Sequence, residues 1–197
     1  DVNEVVTGTN NSSIQVLYKF HGVSAHAAGD PENGRSALDA VELMNTGVQY
    51  LREHMTSDCR VHYAITDAGG VSPNVVQSEA SVLYMVRANK VRDSVKLLAR
   101  VDKIAQGAAL MTETSFDRQF IDGTAELVPN YTLEELLYRI FNEVGLPEYT
   151  AGERQLAEAL RKTYDVPTAP GIAAGFDADI AADVAEREAQ CASDDYL

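Results

Sequence analysis

The sequence predicts an α+β fold, a ferredoxin-like β-α-β-β-α-β unit with a four-stranded antiparallel sheet and two helices. A helical piece of a second domain is expected to follow. Three observations carry the first part. Apolar residues alternate with period two in four segments between residues 13 and 122. They recur at helical spacing in two longer segments. The six segments follow one another in the order strand, helix, strand, strand, helix, strand, so two one-sided helices can cover one face of one sheet.

The elements follow in order. In "SIQVLYKF", Ile14, Val16, Tyr18 and Phe20 alternate with Gln15 and Lys19, the pattern of a half-buried strand. Pro31, Asn33 and Gly34 then break the chain. From Ser36 the period changes. Ala37, Val41, Met44, Val48, Leu51 and Met55 form one apolar stripe on a helix of about 18 residues. Gly47 interrupts it, at a cost of about 1 kcal/mol against alanine if exposed. "CRVHYAITD" returns to period two, with Val61, Tyr63 and Ile65 on one face. "AGGVSPN" is turn chemistry. "ASVLYMVRA" is a strand with Val82, Tyr84 and Val86 on one face and Leu83, Met85 and Arg87 on the other. Residues 91–111 read as a helix whose stripe is Val91, Val95, Leu98, Val101, Ala105 and Ala108. "TETSFDRQFID" is the fourth strand, with Phe116 and Phe120 in phase.

Past Gly123 the pattern differs. "NYTLEELLYRIFNEVG" predicts a helix with Thr132 as N-cap, Glu135 three residues on, and Gly145 as its stop. "TAGERQLAEALRKTY" predicts another, with Thr150 as cap and Glu153 three residues on. Residues 165–197 are rich in Ala, Gly and Asp and poor in large apolar residues, and are expected to be poorly structured. The expected organisation is a linker over 1–12, the α+β unit over 13–125 and part of a second domain over 126–197.

Composition narrows the function classes. The 197 residues are 45% hydrophobic, enough for a core. No run of about 18 apolar residues is present, so no membrane-spanning helix is expected. The start has neither the basic nor the apolar region of a secretory signal, and reads like a chain entered midway. Net charge is −14, which argues against a nucleic-acid partner. Residues 1–122 carry 11 basic and 15 acidic side chains, and residues 123–197 carry 5 and 15. That asymmetry suggests two pieces. Cys59 and Cys191 form no CxxC motif, which suits a reducing cytoplasm.

Of the chemistry-bearing residues, the four histidines, His21, His26, His54 and His62, form no HxH, HExxH or Cys/His cluster. No metal site is expected within the chain. His54 suits a helix C-terminus and His62 the polar side of a strand. No GxSxG, GxGxxG or Walker pattern is present. His26, Asn74 and Arg87 remain, each at an element end or on the face away from the helices.

Four segments carry a family resemblance: "FHGVSAHAAGDPENGRSALDAVELMN", "DAGGVSPNVV", "YMVRA" and "IAQGAALMTET". Together they resemble the lid, or dimerisation, domain of the metal-dependent aminoacylase/carboxypeptidase family of amidohydrolases. The resemblance is strong over about residues 10–130 and weaker through "PNYTLEELLYRIFNEVGLPEYT". It implies a lid inserted in a zinc-peptidase-like catalytic domain, paired with a second lid. It also implies that His26 reaches the partner's active site to polarise the scissile carbonyl, and that Asn74 and Arg87 bind substrate. The implied reaction cleaves the amide of an N-acyl or aminobenzoyl amino acid, with zinc or manganese in the parent enzyme.

The chain departs from the family in lacking an upstream HxD or Cys-Gly-His segment, a downstream ligand segment and the general-base glutamate pair. Alone it is therefore expected to be inactive. The competing expectation is a non-catalytic ferredoxin-like assembly or ligand-sensing module.

Overall fold

The computed structural model describes residue 5 and residues 7–145 and 148–163. The chain divides into two compact units, Thr9–Val128 and Asp1–Gly8 with Pro129–Leu197. The expectation for residues 165–197 lies outside the described residues.

The Thr9–Val128 unit is built on β1 (Ser12–His21), β3 (Arg60–Asp67), β5 (Glu79–Ala88) and β6 (Ser115–Thr124). Two short strands, β2 (Ala25–His26) and β4 (Val75–Val76), pair separately. The large sheet has the order β3-β5-β1-β6 and is antiparallel throughout. This is the expected ferredoxin-like topology. Helices α1 (Ala37–Arg52) and α2 (Val91–Thr112) supply the residues that complete its core.

Directly paired residues in an antiparallel ladder point to the same face. Ile14, Val16, Tyr18 and Phe20 pair with Val86, Tyr84, Val82 and Ala80, and all eight are buried. Against them lie Ala37, Val41, Met44, Val48 and Leu51 of α1, as the stripe predicts. Met55 packs on the core beyond the helix end. Gly47 is more than an interruption. A Cβ there would lie 2.7 Å from Ile104 Cγ2 of α2, so the glycine permits close helix approach.

The stripe of α2 differs from expectation at its first turn. Val91 and Val95 are exposed, and Ser94 is fully buried. The Ser94 hydroxyl shares a 2.6 Å hydrogen bond with that of Ser12, and Ser12 donates to the Ala88 carbonyl at 2.9 Å. A satisfied polar pair therefore occupies the core side where two valines were expected. Phe116 packs on the core, but Phe120, in phase with it, is 60% exposed. It lies on an edge strand, and its ring covers Gly123. Tyr63 and Ile65 share the Val61 face on the other edge and are likewise exposed.

Two buried tyrosines tie the sheet to the helices. Tyr84 donates to Asn45 Oδ1 of α1 at 2.6 Å, and Tyr18 donates to Asp102 Oδ1 of α2 at 2.6 Å. Burial pushes both phenols well above the usual tyrosine range. Arg118 of β6 donates to the same Asp102 oxygen at 2.7 Å.

The second unit contains α3 (Tyr131–Val144) and α4 (Ala151–Arg161). The cap of α3 is Asn130, whose side chain accepts from the Leu133 amide, and not Thr132. Asparagine is the stronger cap, and it starts the helix before Thr132 is reached. Gly145 ends the helix at φ 74°, and Thr150 and Glu153 form the expected capping box.

Tyr84→Phe should leave Asn45 Oδ1 buried without its donor. A loss of about 1–3 kcal/mol is expected in urea unfolding, with the fold retained.

Candidate functional site

At His21 the chain leaves the large sheet, and it reaches α1 at Ala37. The excursion is closed at its base by a two-way backbone bridge. Val23 N–H donates to Arg35 O at 2.8 Å, and Arg35 N–H to Val23 O at 2.9 Å. One flank is zipped onto residues 74–78. Gly22 donates to Ser78 O at 2.8 Å, Ala27 to Asn74 O at 2.9 Å, and Ala37 to Gln77 O at 2.8 Å, while β2 pairs with β4. Two glycines permit this packing. A Cβ on Gly22 would lie 1.9 Å from Arg35 O, and one on Gly34 would lie 2.9 Å from the Val76 methyls.

This zipper places His26 opposite Val75, beside Asn74. Both side chains are exposed. The His26 ring is oriented by its own loop, because the amides of Ala28 and Gly29 donate to Nδ1 at 3.2 and 3.0 Å. A ring nitrogen accepting two amide hydrogens carries none itself. In the neutral ring the proton therefore sits on Nε2, which remains as a hydrogen-bond donor.

Arg87 is elsewhere. It stands on β5 eight residues beyond Glu79, about 26 Å along the strand at the usual rise. It lies on the sheet face opposite the helices, paired with Ser13 and with Arg60. Its Nε donates to Met85 Sδ at 3.1 Å, while Arg60 Nη1 donates to the carbonyls of Ser57 and Cys59. Two guanidinium-bearing residues thus stand opposite each other on neighbouring strands, both exposed. The chain brings His26 and Asn74 together and holds Arg87 apart.

His54 lies two residues beyond α1 and His62 is exposed on its strand. No group of three or more His, Cys, Asp or Glu among the described residues fits a metal ion. Zinc or manganese therefore finds no ligand set among them.

Two groupings escape a reading of the sequence. His21 Nδ1 lies 3.0 Å from Glu79 Oε1 and its Nε2 lies 3.1 Å from Asp117 Oδ2, a clamp across three strands at the loop's root. Arg35 pairs with Glu113 at 2.9 Å. The partners of His21 are 58 and 96 positions away, and no local pattern signals them.

Residues 9–112 match the family model for the peptidase dimerisation domain. The chain belongs to that family. One of the subunits of p-aminobenzoyl-glutamate hydrolase from Escherichia coli K12 is 47% identical over 152 residues, covering 77% of this chain and 32% of that protein. The Xaa-Arg dipeptidase of Mus musculus is 34% identical over 122 residues, covering 60% of this chain and 27% of that protein. An aminobenzoyl-glutamate utilization protein from Klebsiella pneumoniae superposes with a TM-score of 0.57 at 23% identity, over 68% of this chain and 36% of that one, and shows the shared fold. The chain spans about a third of the length of the curated relatives it matches.

The clamp carries a pH signature. The hydrogen bond to Glu79, aided by Asp117, raises the His21 pKa above its ordinary 6.5, and the bond from His21 lowers Glu79 below its ordinary 4.5. The contribution of His21 is complete below pH 6.5 and fades as pH rises through its raised value. That of Glu79 is complete above pH 4.5 and fades as pH falls through its lowered value. The stability deficit of His21→Gln should therefore be largest at about pH 5.5 and smaller at about pH 9, measured as urea midpoints across pH.

Proposed function

We propose that this chain is the dimerising lid, with part of the catalytic domain, of a metal-dependent amidohydrolase. The parent enzyme cleaves the amide bond of an N-acyl or aminobenzoyl amino acid, p-aminobenzoyl-glutamate being the model substrate. The observation that carries this reading is the His26 ring, whose Nδ1 is occupied by two backbone amides and whose Nε2–H is left to donate. Amide hydrolysis builds negative charge on the carbonyl oxygen. A donor held in place for that oxygen lowers the barrier by roughly 3–4 kcal/mol in comparable sites. Asn74, adjacent on the zipper, contributes a second polar contact to substrate. Arg87 supplies a planar fork for the substrate's free carboxylate, and Arg60 opposite adds positive charge there.

The separation of Arg87 from His26 fits a site shared between two chains. Homodimerisation through β3 supports such a site better than pairing through β6. The β3 edge carries exposed Tyr63 and Ile65, whereas β6 carries Asp117, Arg118 and Asp122 and pairs irregularly with β1 at Gln15 and Val16. Two β3 strands paired edge to edge about a two-fold axis perpendicular to them run antiparallel. The Arg60 end of one then lies beside the Asp67 end of the other. Arg87 sits beside Arg60, and the His26 loop lies toward the Asp67 end. The axis therefore carries the second copy's His26 and Asn74 toward Arg87.

Residues 126–197 are read as part of the catalytic domain. The exposed Leu133, Leu136, Leu137, Ile140 and Val144 of α3 support this, because that apolar face needs a cover. Zinc or manganese is read as a requirement of the parent enzyme. No group of ligands among the described residues fits it, and the chain alone is expected not to hydrolyse substrate. The proposed compartment is the cytoplasm, with a small N-acyl amino acid as ligand and neither nucleic acid nor membrane as partner. No described helix is long and apolar enough to cross a membrane.

Two experiments test this reading. In the full-length enzyme, His26→Ala should lower kcat by about 10²–10³-fold with little change in melting temperature. Unchanged turnover would leave the non-catalytic assembly module as the better account. Ile65→Asp should shift the dimer toward monomer in sedimentation or light scattering, while Phe120→Asp on the opposite edge should not.

A further inference from the structure

Among the described residues, Glu113 is the only non-glycine residue with positive φ, at φ 54° and ψ 37°. It stands at the C-terminal stop of α2, where the Thr114 amide reaches back to Ala109 O at 3.0 Å. Helices that end in this way normally place glycine at the left-handed position, because a Cβ strains that conformation. A glutamate held there is a local cost that helix termination does not require. Its carboxylate accepts from Arg35 Nε at 2.9 Å.

Arg35 is the closing residue of the His26 loop. Its backbone makes both hydrogen bonds of the bridge to Val23. Its Nη1 donates to the carbonyls of Glu32 at 3.1 Å and Gly34 at 2.7 Å, on the turn that returns the loop to α1. One side chain thus binds the loop's own backbone and, through Glu113, an element 78 positions away. The pair is substantially exposed, and exposed ion pairs add little global stability. What such a pair supplies is position.

We infer that Arg35 and Glu113 form a latch that holds the His26 loop against the end of α2, and that both are positioning residues for His26. The latch gives a role to a strained glutamate at a position where glycine would relax the helix end. This rests on the reading of His26 as a hydrogen-bond donor to substrate. It adds that the donor's aim is set by α2 as well as by its own loop.

Strain and latch make opposite demands on one residue, and that separates a positioning role from a structural one. Glu113→Gly removes the strain and the carboxylate together. The melting temperature should stay equal or rise, while hydrogen-exchange protection of the Ala28 and Gly29 amides, which bind His26 Nδ1, falls by about tenfold or more. Arg35→Lys keeps the charge but loses the fork, and should lower the same protection. Exchange at Val101 and Ala105, inside α2, should be unaffected in both variants. Retained protection at Ala28 and Gly29 in both variants overturns the latch, as does absence of protection there in the unmodified chain. A fall in melting temperature together with a general loss of protection in Glu113→Gly also overturns it, because Glu113 would then be structural. None of these readings depends on catalysis, so normal turnover in His26→Ala would remove the proposed role of His26 and leave the latch measurement standing.

Discussion

The register of β1 between β5 and β6 is the constraint on which the rest depends. All ten of its residues pair with β5, and nine of them also pair with β6. In a strand whose two faces differ, a slip by one residue exchanges the buried and exposed sets. Such a slip would expose Val16, Tyr18 and Phe20 and bury Lys19 and His21. It would also break the two tyrosine contacts to α1 and α2. Because β1 ends at His21, the same register determines where the His26 loop leaves the sheet. Core and site are thus aligned by one set of backbone hydrogen bonds.

The site is held by backbone more than by side chains. The bonds from Gly22, Ala27 and Ala37 to residues 74–78 give the loop a defined surface to lie on, and the Val23–Arg35 bridge closes it. This suits the role proposed for His26, that of a donor held in position. A loop held only by exposed ion pairs would be mobile, because such pairs are screened and entropically costly. Side chains do the finer work. His21 ties the loop's root to β5 and β6, and Arg35 with Glu113 ties its base to α2. The Ala28 and Gly29 amides then set the His26 ring, so each contact narrows the freedom left by the one before it.

The position of Arg87 bears directly on the proposed function. A ten-residue strand separates the two ends of the sheet by more than a small substrate can span. On the proposed reading, in which His26 and Arg87 contact one substrate, that separation asks for a second copy. The family to which residues 9–112 belong is a dimerisation domain, and the exposed apolar edge of β3 is compatible with that architecture.

Much of the fold was legible in the sequence because its signals are local. Period-two alternation in four segments and helical spacing in two identify the elements, and their order restricts the topology. The capping box at Thr150 and Glu153 was legible for the same reason. The misreadings also have local causes. Val91 and Val95 continue the helical period of α2, yet Ser12 meets Ser94 and turns that first turn over. Phe120 and Tyr63 keep strand phase, but both lie on edges where helix cover runs out. His26, Asn74 and Arg87 could be singled out from their motifs. Their grouping could not, because the partners of His21, Arg35 and Arg87 lie far along the chain. The sequence by itself determined the four long strands, the helices and most of the faces they bury, since those preferences act over a few residues. Only the tertiary structure decided that His26 and Asn74 share an end while Arg87 stands away from them, since that depends on strand order and register.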